Sequence, residues 1–210
     1  MSAVITDKSH LTGVQRRRKQ RAALLLFATV PLLLLLRPIH LESDPIQHLF
    51  DGLGGLTIVL AIMLRLWCTL HIGGRKCEEL VRTGPYSLVR HPLYLASGLA
   101  VIGIGLQFGS LTAAAILLAG YVLVFSPVVR DEERFLAERF GSRFARYVES
   151  VPRFLPRRWR PREPKQMLCR PALLTRTLRD GLAFLLVLPA IELTEELHER
   201  ALLPVLAQVY

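Results

Sequence analysis

Apolar residues along this chain fall in long unbroken runs, with none of the alternation of a half-buried strand. Residues 22–36 carry one polar side chain, Thr29, and one helix-bending residue, Pro31, which a membrane helix tolerates. Residues 52–74 form a second run, interrupted by Arg65 and His71. From Pro92 to Val129 there is no charged side chain at all. As one helix that stretch would be about 57 Å long, against a hydrocarbon core of about 30 Å. Gln107-Phe108-Gly109-Ser110 breaks it, so the pattern predicts a hairpin of two spans, 92–107 and 111–129. Polar, basic segments separate the runs. The tail has shorter apolar pieces at 181–191 and 201–210, suited to a fifth short span or an interfacial helix. The prediction is an all-α polytopic membrane bundle of four to five transmembrane helices. It is organised as a basic N-terminus (1–21), a membrane core (22–156) and a C-terminal extension (157–210).

Charge fixes the expected orientation. The 210 residues include 27 basic and 17 acidic side chains, for a net charge of +10, with hydrophobic residues at 51%. Segments 1–21, 75–90 and 130–179 hold the arginine and lysine excess, while 37–51 has only Arg37 and the hairpin tip has no charge. With four spans all three basic segments share one face, which the positive-inside rule assigns to the cytoplasm. The Arg-rich, Ala- and Leu-rich composition, with no organelle signal, points to a bacterial inner membrane and a cytoplasmic N-terminus. An anionic leaflet accounts for the charge better than nucleic acid, for which no recognition motif is present. The basic stretch before residue 22 reads as the flank of a retained signal anchor, since no small-residue cleavage site follows. Cys68, Cys77 and Cys169 have unrelated spacings and offer neither a disulfide framework nor a metal site. Arg65, costly at a bilayer centre, either snorkels or faces a polar cavity.

Folding the hairpin back on itself brings two polar clusters together. Before it stands Gly84-Pro85-Tyr86-Ser87-Leu88-Val89-Arg90-His91-Pro92-Leu93-Tyr94, and after it Arg130-Asp131-Glu132-Glu133-Arg134. Gly84-Pro85 reads as a turn, and Pro92 suits a first helical position. His91 then sits near free backbone N–H groups able to receive a carboxylate. Glu132 and Glu133 can accept hydrogen bonds from ribose hydroxyls or an amino group. Both clusters are also compatible with plain roles, as interfacial anchors and as a solvated helix start.

Gly84-Pro85-Tyr86, Arg90-His91-Pro92-Leu93-Tyr94, Glu132-Glu133, Phe140-Gly141, Tyr147 and Val151-Pro152-Arg153-Phe154-Leu155-Pro156 occur in this order across residues 72–156. In that order they resemble the isoprenylcysteine carboxyl methyltransferase and phospholipid methyltransferase superfamily. The resemblance implies S-adenosyl-L-methionine as cofactor, with Arg90, His91, Tyr94, Glu132 and Glu133 in its pocket. It also implies a lipid or lipid-linked acceptor reached from the bilayer. Two positions depart from the pattern. Phe144 stands where many members have tyrosine, and Tyr147-Val148-Glu149-Ser150 lacks the basic run of the prenylcysteine enzymes. Arg146, Glu149 and Arg153 are the candidates for acceptor-side chemistry, with lipid-headgroup contact as the alternative for both arginines. An NADPH-dependent membrane reductase and a non-catalytic membrane protein are the competing functional expectations.

Overall fold

The computed structural model describes residues 36–38, 45–73, 79–157, 159–166, 169–186 and, beyond these, 189, 190, 193, 196, 197, 200 and 207–209. Apart from Leu36, the predicted first span at 22–36 lies outside the described residues, as does the basic N-terminus.

Among the described residues five helices stand out: α1 (Pro45–Ile72), α2 (Pro92–Gln107), α3 (Leu111–Phe140), α4 (Ser142–Ser150) and α5 (Pro171–Leu185). One turn of 3-10 helix, Pro85–Ser87, precedes α2. Leu36–Pro38 and Ala207–Val209 form a three-residue parallel pairing that adds no layer to the helical architecture. Among the described residues two helices are long and apolar enough to cross a membrane, within Gln47–Ile72 and Leu111–Phe140, and α2 is a shorter apolar helix between them.

The hairpin forms where the uncharged run is interrupted. Phe108 is buried at its tip, and Ser110 caps α3 by accepting a hydrogen bond from the Ala113 N–H at 3.1 Å. The α2 face toward its neighbours is built from small residues, Ala96, Gly98, Ala100, Gly103 and Gly105. Small residues let membrane helices approach closely, which replaces the hydrophobic drive that lipid removes. At Gly105 the approach is tightest: a Cβ there would lie 2.2 Å from the Ala114 Cα of α3. On the other side of α2, Arg65 of α1 donates to the Ser97 hydroxyl at 3.2 Å. Arg65 therefore points toward a neighbouring helix.

Three boundaries differ from those that hydropathy suggests. Helix α1 starts at Pro45, earlier than 52, because Asp51 is charged but does not break a helix. Helix α3 runs on from its apolar part through Arg130-Asp131-Glu132-Glu133-Arg134 to Phe140. At 1.5 Å per residue its 30 residues measure about 45 Å, more than a hydrocarbon core of about 30 Å can cover. The apolar turns to Val129 have about the length of such a core, and the charged turns lie beyond that stretch. Helix α5 joins residues 171–180, expected in a charged segment outside the membrane, to the apolar piece beginning at Gly181. It packs on α1, with the Thr177 and Thr69 hydroxyls 3.2 Å apart.

Candidate active site

The two polar clusters meet. Helix α2 starts at Pro92, so His91 stands at its N-cap position, without a capping side-chain bond, and Tyr94 lies in its first turn, facing α3. Helix α3 leaves its apolar run at Val129 and presents Glu132 and Glu133 within the next turn. His91 Nε2 lies 2.9 Å from Glu133 Oε1, and the Tyr94 hydroxyl donates to Glu132 Oε2 at 2.9 Å. Arg90 Nη1 pairs with the same Glu133 oxygen at 2.9 Å. Arg153 completes the cluster, donating through Nε to Glu133 Oε1 at 3.2 Å and through Nη2 to Oε2. Both Glu133 oxygens are thus engaged by Arg90, His91 and Arg153.

Burial opposes the Glu133 charge. Hydrogen bonds from His91 and Arg153, with the positive charges nearby, outweigh it and lower the carboxyl from 4.5 to about 2. Glu133 is therefore a fixed anion at neutral pH and has no role as a proton acceptor there.

Three further contacts hold these groups in register. The Tyr121 hydroxyl donates to the Tyr94 carbonyl at 2.8 Å, and Tyr121, Phe125, Val128 and Val129 pack around the Tyr94 ring. The Arg90 and His91 N–H groups donate to the Pro152 and Arg153 carbonyls at 2.9 and 3.3 Å, as a strand edge would. Below them, the Tyr147 hydroxyl donates to the Tyr86 carbonyl at 2.6 Å. Buried Phe144, Tyr147 and Val151 seat α4 against Leu136 and Phe140 of α3. Phe144, where many relatives of this motif have a hydroxyl, is thus an apolar packing residue.

A second clamp holds the turn that precedes Arg90. His71, at the end of α1, is 1% exposed. Its Nδ1 lies 3.0 Å from the Trp67 carbonyl and its Nε2 2.8 Å from Glu163 Oε2. Gly84, at φ 57°, rests on the imidazole, where a Cβ would come within 2.2 Å of Nε2. The Gly84 N–H donates to the Arg162 carbonyl at 2.9 Å, and the Arg162 N–H donates to the Ser87 hydroxyl at 2.9 Å.

Beside the cluster opens a cleft of 340 Å³ lined by Ser126, Val129, Arg130, Arg153 and Phe154. The Phe154 ring lies 6.0 Å from that of His91. The cleft sits where α3 changes from apolar to charged. In the cluster, the buried Arg90 Nε has no hydrogen-bond partner among the described residues.

All five residues expected around a cofactor, Arg90, His91, Tyr94, Glu132 and Glu133, therefore converge. Of the three expected on the acceptor side, Arg153 joins them as an ion-pair partner of Glu133. Arg146 and Glu149 lie on the exposed face of α4, opposite buried Phe144 and Tyr147. Tyr121, Ser126 and Glu163 were not singled out in the sequence, and Arg130, Phe154 and His71 were named there without a role in the site. Arg130 opened the second polar cluster, and Phe154 lay in the Val-Pro-Arg-Phe element.

A sequence model of the family described as phospholipid methyltransferase matches residues 51–143, which include α2, the hairpin and both glutamates. The cobalt-zinc-cadmium resistance protein CzcN of Cupriavidus metallidurans is 45% identical over 112 residues, 53% of this chain and 51% of that protein. The nickel-cobalt-cadmium resistance protein NccN of Alcaligenes xylosoxydans xylosoxydans is 39% identical over 143 residues, 67% of each chain. The chain belongs to the phospholipid methyltransferase family. The match spans about half the length of CzcN and two thirds of NccN. No solved structure matches the chain. Family membership and two apolar helices of spanning length make this a membrane-associated, methyltransferase-like protein.

Proposed function

We propose that the chain transfers a methyl group from S-adenosylmethionine to a lipid or other membrane-embedded acceptor, at the cytoplasmic edge of a bacterial inner membrane with the N-terminus cytoplasmic. The observation that carries this reading is the convergence of Arg90, His91, Tyr94, Glu132 and Glu133 beside a cleft at the apolar boundary of α3.

The residues fit such a cofactor by their donor set. Arg130 and Arg153 line the cleft as cations able to receive its carboxylate, and the unpartnered Arg90 Nε is a further donor. Glu132, oriented by Tyr94, is an acceptor for ribose hydroxyls or an ammonium group. When bound, the cofactor supplies a methyl group on a sulfonium, open to in-line displacement. The protein's part is then orientation and exclusion of water, and orientation alone can be worth about 7–11 kcal/mol. Glu133 acts by holding Arg90, His91 and Arg153 in place. Arg153 connects this cluster to the cleft wall and is the acceptor-side residue best placed to orient an anionic group. Arg146 and Glu149 belong to the outer approach on α4.

The relatives are named for metal resistance. Among the described residues no three His, Cys, Asp or Glu side chains group as a metal site. The reading here thus rests on family and site.

The test is transfer itself. The purified full chain is incubated with methyl-labelled S-adenosylmethionine and a total bacterial membrane extract, then separated into lipid and protein fractions. Label in one fraction, abolished by Glu133→Gln, is the expected result. No label above that of the variant in either fraction would overturn the reading.

A further inference from the structure

We propose that the loop of the described residues 153–157 and 159–162 inserts Leu155 and Trp159 into an anionic phospholipid leaflet. Leu155 and Trp159 are 81% and 82% exposed, the most exposed large apolar side chains among the described residues. Isolated exposed apolar residues need no explanation, but these two stand four residues apart, beside half-exposed Phe154.

Their surroundings select the partner. Arg157, Arg160 and Arg162 are exposed between and beside them, and residues 150–162 contain no acidic side chain. The next acid, Glu163, is engaged with His71. Aromatic and aliphatic side chains interleaved with arginine match the boundary layer of a membrane, where rings settle at headgroup level and basic groups meet anionic lipid.

Position agrees with composition. The loop is tied at one end by the Arg90 and His91 bonds to Pro152 and Arg153, and at the other by Arg162 against Gly84 and Ser87. Phe154 shares the cleft wall with Ser126 and Val129, in the last apolar turn of α3. The loop is thus held at the height where the hydrocarbon core ends. Pro156 and Pro161 restrict its backbone.

This inference stands apart from the cofactor reading and is tested without it. The chain has two tryptophans, so Trp67→Phe leaves Trp159 as the only one. The full-length variant is placed in nanodiscs of phosphatidylcholine, or of phosphatidylcholine with phosphatidylglycerol. In the anionic discs Trp159 emission should shift to the blue, be quenched by lipids brominated near the headgroup, and be shielded from aqueous iodide. High salt, or Arg157→Gln with Arg160→Gln and Arg162→Gln, should reverse much of that shielding. If Trp67→Phe does not fold, the difference between wild type and Trp159→Phe gives the same signal. Equal iodide quenching in both discs and in detergent would overturn the proposal. So would shielding that appears only as protein concentration rises, which would mark a contact between copies.

Discussion

Glu133 answers the cations of Arg90 and Arg153, and the His91 imidazole, with one carboxylate, and Arg90 beside it is mostly buried. Glu133→Gln would leave those cations without their counter-charge. We expect a loss of about 2–3 kcal/mol in stability, read by thermal melting in detergent, because breaking a buried pair strands its partner. The wild-type contribution depends on pH. Since folding lowers the Glu133 pKa from 4.5 to about 2, its stabilisation is complete above the higher value and disappears as pH falls toward the lower. The difference in melting temperature between wild type and Glu133→Gln should therefore be constant near neutrality and shrink below about pH 4. Tyr94→Phe keeps the ring and removes the bond to Glu132. It should cost about 1 kcal/mol or less in stability yet weaken cofactor binding by a larger factor. At this scale the sequence exposed the charged groups before and after the uncharged hairpin. Hairpin closure brings them together by geometry that can be read from the run itself. The Arg153–Glu133 pair and the His71–Glu163 clamp were not legible, because long-range pairing by an irregular segment leaves no periodicity.

At the level of elements, the site exists because α2 and α3 lie close enough for Tyr94 to reach Glu132. Gly105→Ala would drive a methyl group into the α3 backbone and should cost about 2 kcal/mol or more, with loss of cofactor binding. Gly120→Ala, on the same hairpin with nothing within 4 Å of its Cβ, is the control. It should be neutral or stabilising by up to about 1 kcal/mol. The hairpin spans were legible to the residue, 92–107 and the start at 111, because Pro92 and the Gly109-Ser110 break are local signals. The ends of α1 and α3 were not. Hydropathy reports the solvent a residue prefers, whereas a helix continues until its backbone is broken. No glycine interrupts α3 between Val129 and Phe140, so it carries the glutamates beyond its apolar run as helix until Gly141 turns it.

For the whole molecule, the charge pattern and the fold agree on one polar end. The cluster, the cleft, α4 and the loop at 153–162 all stand at the end of α3 that emerges from its apolar run. Exposed Cys169 follows that loop, whereas Cys68 is buried in α1. With the polar end in the cytoplasm, a membrane-impermeant maleimide should leave Cys169 unmodified in intact spheroplasts of a Cys77→Ser variant and label it after permeabilisation. Labelling in intact spheroplasts would invert the orientation. The all-helical class was legible from run lengths alone. The seating of α5 on α1 was not, since it depends on Thr177 meeting Thr69 and Gly181 meeting Ile62 across distant parts of the chain.

The most direct test of the central claim is calorimetry of the detergent-purified full chain with S-adenosylmethionine, S-adenosylhomocysteine and NADPH. The account predicts saturable binding of the first two, no binding of NADPH, and loss of both bound ligands in folded Glu133→Gln. Binding of NADPH alone, or S-adenosylhomocysteine binding that Glu133→Gln leaves intact, would contradict it.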